Sequence, residues 1–383
     1  MAWSRGQVDD RRRMIGLWES GRTPTELSRQ FGVSRQTIYT FIERWKSEGE
    51  AGLEDRSRRP HGSPRKTAAS VEEALIELKD RYPHYGPDKL VVLLRDKGVT
   101  LAAPTARDVL RRHGRVQARR ARTPRWSPAH DPMITVPSAG HTMTADYKGQ
   151  FRLGDGRYCY PLTIADPASR FVFAVEALSI NTGRLARAVF ERVFREWGLP
   201  DQIVTDNGAP FCVTQSIGGI SELGRWWLRL GIHHTRTQPG RPQQNGIHER
   251  MHRTLKHQTT KPPEVTLERQ QVRFDSFMAE YNHLRPHQGL GQQRPATFVK
   301  RYRRPYLEEL PEIEYPKSFK VRRVRSNGYI KWRGGEIFVG EVLVHERVGL
   351  VEIDDGTWEL YFGNRHLADW CDRLNRWVAP RQT

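Results

Sequence analysis

Cysteine is scarce: among 383 residues there are three, Cys159, Cys212 and Cys371. Far apart, with no C-x-x-C and no matching histidine spacing, they make neither a disulfide framework nor a zinc module and read as small buried apolar groups. Long apolar runs are missing as well. No stretch reaches the eighteen or so residues of a membrane-crossing helix, and neither a secretory leader nor a basic amphipathic anchor is visible, so the expectation is a cytoplasmic, nucleoid-associated protein without membrane contact. Acid is short relative to base, 44 Asp and Glu against 63 Lys and Arg, for a net charge of +19. That excess favours a polyanion as partner, and nucleic acid is the usual one. An apolar content of 37% excludes a disordered tail protein and supports two to four packed domains.

Within this basic chain, three acids stand out. IVTDNGAPF reads as a short buried strand that ends on Asp206 and breaks at Asn207-Gly208. HTMTADYKG alternates as a second strand and carries Asp146. PGRPQQNGIHERMHRTLK is a Pro/Gly/Gln loop followed by a helix, whose three- and four-residue spacing puts Glu249, Arg253 and Lys256 on one face. Carboxylates from separate elements suit a pair of hard divalent ions about 3.5–4 Å apart, which activate the attacking oxygen and stabilise the leaving one in phosphodiester chemistry. Taken singly each acid reads as solvated surface; together they make a signal.

These stretches, with YNHLRPHQGL at residues 281–290, resemble in order and content the DDE transposases of bacterial insertion sequences, whose core is similar to that of retroviral integrases. The resemblance implies a ribonuclease-H-like α/β core in which Asp146, Asp206 and Glu249 are the catalytic, metal-binding triad. It implies two Mg2+ ions, with Mn2+ able to substitute, and it gives Arg253 and Lys256 the task of gripping the transposon end. Forty-two residues separate Asp206 from Glu249, more than the family's common interval of about thirty-five. The surplus is expected in VTQSIGGISELGRWW, as a Gly-containing loop before a helix, where length is tolerated.

The rest of the chain fits a multidomain plan. Residues 1–53 read as a helix-turn-helix: Thr23-Pro24-Thr25-Glu26 makes a capping box, Gly32 the turn, and Ser34 caps a third helix with Ile38, Phe41, Ile42 and Trp45 inward. Arg35, Gln36, Tyr39 and Arg44 are left for DNA, the first two at base edges. Residues 54–69 form a basic linker whose Arg58 and Arg59 suit a narrow minor groove. Residues 70–114 repeat the helical plan, with a Ser70–Glu73 capping box, and the resemblance implies a second helix-turn-helix. Residues 115–136 are an Arg-rich linker; Arg111, Arg112, Arg119 and Arg120 belong to a run of seven arginines without an acid, expected on phosphates.

The core is expected over 137–300, in βββαβα order, with Asp166 left outside the catalytic set because Asp-Pro favours a turn. His233 and His234 sit in a strand that points them to opposite faces, which disfavours a shared metal. After a linker at 301–317, residues 318–383 are β-rich with close-spaced glycine turns, and the resemblance implies an SH3-like all-β barrel that touches DNA through Arg322 and Arg323. The expected activity is magnesium-dependent cleavage at an element's terminal repeats and joining of the 3′ hydroxyls to target DNA by a dimer or tetramer. The rivals are a sequence-specific DNA-binding regulator with an inactive integrase-like core, and a ribonuclease-H-type nuclease.

Overall fold

A computed structural model describes residues 8–56, 67–116, 138–237 and 246–378. Arg58, Arg59, Arg119 and Arg120 lie outside the described residues. The chain divides into two compact units, residues 1–68 and 69–383.

The first unit holds α1 (Val8–Glu19), α2 (Pro24–Phe31) and α3 (Arg35–Glu48). The capping box at α2 forms: Glu26 N donates to Thr23 Oγ1 at 3.4 Å and Thr23 N to Glu26 Oε2 at 2.9 Å. Gly32, at φ 65°, supplies the left-handed turn, and Ser34 caps α3. Met14, Ile15, Leu27, Phe31, Ile38 and Ile42 close over one core. Arg11 is buried beneath it, donating to Leu53 O and Asp55 Oδ1 and so holding the chain that leaves α3.

The second unit opens with α4 (Ala69–Arg81), α5 (Pro87–Asp96) and α6 (Ala103–Arg112) around Leu75, Leu90, Leu94, Val109 and Leu110. Here one expectation fails. Ser70 lies inside the first turn of α4, so it is not the N-cap and the Ser70–Glu73 box has no place. The acid that counts is Glu72, which is buried and accepts from Arg112 and His113 at the end of α6. This helical module rests on the motif at residues 281–290: Lys89 Nζ donates to Pro286 O at 2.8 Å, and the Arg285 guanidinium lies 5.2 Å from the Tyr85 ring centre.

The core follows as β1 (Thr142–Tyr147), β2 (Phe151–Arg152), β3 (Tyr158–Ala165), β4 (Val172–Leu178), α7 (Gly183–Trp197), β5 (Gln202–Thr205), α8 (Glu222–Arg229), β6 (His233–Arg236), α9 (Gly246–Thr259) and α10 (Leu267–Ala279). Its mixed sheet runs β2-β3-β1-β5-β6 with β4 on β3; β1, β5 and β6 are parallel, β3 and β4 antiparallel. Alternation along the strands serves two layers. Met143, Leu162 and Ile203 meet α7 and α8 on one face, while Val172, Val175 and Ala177 meet Met251, Leu255 and Phe274 of α9 and α10 on the other. The surplus after Asp206 forms a short turn at Ile217–Gly219 and then α8.

The last segment is all antiparallel: β7 (Lys320–Arg323), β8 (Tyr329–Trp332), β9 (Gly335–Phe338), β10 (Arg347–Asp354), β11 (Thr357–Phe362), β12 (Arg365–Cys371) and β13 (Arg376–Val378). Among the described residues its pairings do not close into a barrel. A five-stranded sheet keeps β13 and β7 as edges, and β8 pairs only with β9 as a separate ribbon over the same core. Ile220 and Leu228 join that core from the α8 region, so this sheet is packed onto the α8 side of the mixed-sheet core. No helix among the described residues is long and apolar enough to cross a membrane.

Candidate active site

The site begins with the alternation of β1. Met143 and Ala145 are used by the α7–α8 side, which leaves Thr144 and Asp146 for α9. Asp146 keeps only 15% of its side chain exposed. Ala145 pairs with Thr205 in the parallel register, so Asp146 and Asp206 are the next residues on neighbouring strands, at their carboxyl ends. Asp206 Oδ1 accepts from Gly208 N at 3.1 Å, so the turn after β5 folds around this carboxylate.

Glu249 is on the exposed side of α9, with Arg253 and Lys256 exposed one and two turns on. Around it two histidines, which the sequence reading passed over, fasten α9 to the sheet. His248 Nε2 lies 2.5 Å from Thr144 Oγ1, and His252 Nε2 lies 2.8 Å from Thr163 Oγ1. Thr163 stands opposite Asp146 in the β1–β3 ladder and donates to the Asp146 carbonyl at 2.9 Å. Burial pushes His248 down to about 4 and His252 down to about 2, the latter with help from His248 and Lys148, so both rings are neutral at pH 7. The signal for them was in the sequence: HERMH is an H-E-x-x-H spacing, which sets two imidazoles on one helical face.

Ligand atoms of Asp146, His248 and His252 all lie within 4.8 Å of one another. Asp206 and Glu249 are not in that group. Carboxylate oxygen with imidazole nitrogen is a donor set that suits a divalent cation. Lys148, also missed, flanks the site; burial and the nearby Lys256 lower its pKa, while Asp146 raises it.

The other expected residues are placed as follows. Arg35, Gln36 and Tyr39 are exposed on α3, and Arg44 lies half-buried over Phe41. Arg111 and Arg112, both about half exposed, pair with Asp108 and Glu72. Arg322 is partly spent internally, donating to Lys331 O and lying over Trp332, whereas Arg323 is exposed. Asp166 is wholly buried in its own turn, accepting from Ala168 N and Ser169 Oγ. His234 is buried against Thr205 and Trp227 while His233 is exposed.

Comparison with known proteins gives family matches along most of the chain. Integrase core domain models match residues 137–242 and 230–295; a helix-turn-helix domain matches 10–61 and a homeodomain-like domain 37–110; the C-terminal domain of IS481 family transposases matches 319–372. The Pol polyprotein of feline endogenous virus ECE1 is 35% identical over 112 residues, 29% of this chain and 10% of that protein. The Gag-Pol polyprotein of gibbon ape leukemia virus is 25% identical over 207 residues, 52% of this chain and 11% of that protein. The chain thus spans about a tenth of the length of these curated relatives. Among solved structures, the HTLV-2 integrase catalytic core domain in complex with magnesium aligns at 18% identity and TM-score 0.34, over 42% of this chain and 97% of that one. The simian T-cell lymphotropic virus intasome aligns at 18% and TM-score 0.35, over 80% of this chain and 100% of that one.

Proposed function

We propose that this chain, which carries helix-turn-helix domains, an integrase core and an IS481-type transposase C-terminal domain and so has the make-up of an insertion-sequence transposase, cleaves at the ends of a DNA element and joins them to a target. The observation that carries this reading is the adjacency of Asp146 and Asp206 at the ends of parallel β1 and β5, beside the helix that bears Glu249. Asp146, Asp206 and Glu249 would hold two divalent ions, magnesium in the first instance, whose chemistry when bound is to activate the attacking oxygen and stabilise the leaving one. The protein's own groups do the positioning. Thr163 and His252 fix β1 against α9, and Lys148, Arg253 and Lys256 supply positive charge where a phosphodiester would lie.

End recognition falls to α3, through Arg35, Gln36, Tyr39 and Arg44, and to the second helical module with Arg111 and Arg112. Arg58, Arg59, Arg119 and Arg120 would track phosphates, and Arg322 and Arg323 would add contacts from the C-terminal sheet, which we take as an SH3-like module. The division is that of the sequence reading: two helical modules at 1–53 and 70–114, linkers at 54–69, 115–136 and 301–317, the core at 137–300 and the sheet at 318–383. Joining two ends calls for two or more copies, hence a dimer or tetramer on DNA in the bacterial cytoplasm.

The test is to incubate purified protein with labelled candidate ends and a plasmid, with and without Mg2+, and to sequence the junctions. Metal-dependent junctions that Asp146→Asn abolishes, with end binding intact, support the reading. End binding without any cleavage would favour the regulator; cleavage of hybrids without joining would favour the nuclease.

A further inference from the structure

Four cations gather where the second helical module meets the core. Tyr281 and His287 of the motif at 281–290 meet edge to face at 4.6 Å, and His287 Nε2 donates to Tyr281 O at 3.3 Å. Arg170, Arg250 and Arg285 all act on the Tyr281 phenol, and Lys89, Arg170 and Arg285 on the His287 ring. They come from separate elements: Lys89 from α5, Arg170 from the β3–β4 turn, Arg250 from α9 and Arg285 from the motif itself. Like charges collected in a partly buried place repel, which costs stability until an anion offsets it. The protein offers little of that kind. Glu280 acts on Lys89, but Gln258 Nε2 already donates to it at 3.1 Å, and no acid among the described residues acts on Arg170. Arg285 Nη1 is buried without a hydrogen-bond partner, its guanidinium resting on the rings of Tyr85 and Tyr281 at 5.2 and 6.0 Å. Arg170 is the extreme case. Among the described residues its side chain makes no hydrogen bond and no ion pair, and burial lowers its pKa, against the pull of Tyr281 and with the push of Arg250. Its backbone stands at φ 64°, in the left-handed region where glycine would be easier. A Cβ added at Gly289 would meet Arg170 Nη2 at 3.4 Å, so the guanidinium lies over that exposed glycine.

We propose that Arg170, Arg250 and Arg285, with Lys89, form a phosphate-binding site for the backbone of double-stranded DNA at the junction of the second helical module and the core. The proposal rests on the reading of this chain as a DNA-binding protein, and it gives the motif at 281–290 a task beyond seating the module. Guanidinium forks match phosphate oxygens, and each neutralised phosphate releases counterions. The site opens to solvent at Arg250, Gln288 and Gly289, which are all exposed.

The test uses the full-length protein and a fluorescently labelled duplex carrying a candidate end. Anisotropy titrations over a series of salt concentrations, without divalent metal, give the slope of log affinity against log salt. Arg170→Gln and Arg250→Gln should each lower that slope by about 1, and the two together by about 2, while Arg170→Lys keeps it near wild type. Arg187→Gln, on α7 where Glu191 holds the charge, controls for the loss of one positive charge and should leave the slope unchanged. In thermal melts without DNA, Arg170→Gln should hold or raise the Tm, because it removes a cation that no protein acid offsets. Arg250 is exposed on α9, so Arg250→Gln reads the site independently of folding. A wild-type slope in either glutamine variant overturns the site. An Arg170→Gln protein that melts well below wild type shows a guanidinium that supports the fold, and overturns its assignment as a phosphate ligand. Wild-type protein that does not bind the duplex, or binds it without salt dependence, fails the DNA reading itself.

Discussion

Trp332, Trp358 and Trp370 all donate their indole N–H to one carboxylate, Asp372, at 3.0, 2.9 and 3.1 Å, and Arg333 pairs with it at 2.8 Å. The three rings are almost wholly buried, so removing the acceptor strands donors that water reaches poorly. Asp372→Ala is expected to destabilise the C-terminal sheet by about 3 kcal/mol or more in urea denaturation, with Asp372→Asn costing less. Buried histidines set a pH dependence. His234, through burial and then Arg365, and His287, through burial and then Lys89, are each pushed down to about 3. The folded protein refuses a proton that the unfolded chain accepts below about 6.5, so this stability is complete above that pH and is lost as pH falls from about 6.5 towards 3. Thermal melts should show a lower Tm at pH 5 than at pH 7, with His287→Asn reducing the difference. At this scale the placing of Asp146 and Asp206 at neighbouring strand ends and of Glu249 on the outer face of a helix was legible in the local pattern, while their joint role rests on the resemblance. His248 and His252 were legible only as an H-E-x-x-H spacing and Lys148 not at all, because a polar residue facing a sheet breaks no apolar period and its burial depends on what docks against it.

Elements were legible where their signals are local. The Thr23–Glu26 box forms because its partners are three residues apart, and Thr23→Ala should cost the first unit about 1 kcal/mol in stability. The Ser70 box has the same pattern and fails, since the start of α4 is set by its packing and by Glu72 reaching α6. The barrel expected at the C-terminus shows the same divide: the turns and strands of β7 to β13 were readable from glycine spacing, but closure is a tertiary event that no local pattern fixes. Between β3 and α9, Thr163 is the joint. Thr163→Val removes the hydroxyl that serves Asp146 O and His252 Nε2, and should lower end cleavage tenfold or more, on the order expected for loss of a metal-supporting contact, while labelled-end binding in gel shifts stays unchanged.

Across the second unit, attachments to the core explain features that seemed incidental in the sequence. The motif at 281–290 seats the second helical module, and the extra residues after Asp206 seat the C-terminal sheet: a Cβ on Gly218 would meet Leu367 at 3.0 Å, Arg365 donates to Gly218 O, and Arg229 pairs with Glu346 at 2.7 Å. From Arg365 the contacts lead through His234 to Thr205, the residue before Asp206. Ending the chain at residue 300 should therefore expose Ile220 and Leu228 and lower the Tm of what remains, with increased binding of a hydrophobic dye. The central claim is that three acids on separate elements converge on divalent cations beside a DNA phosphate. It is tested most directly by solving the protein on its end DNA with Mn2+ and recording anomalous scattering at the manganese edge. The account predicts manganese peaks about 2.0–2.3 Å from carboxylate oxygens of Asp146, Asp206 and Glu249; peaks that leave Glu249 unligated, or no peak at Asp146 and Asp206, would contradict it.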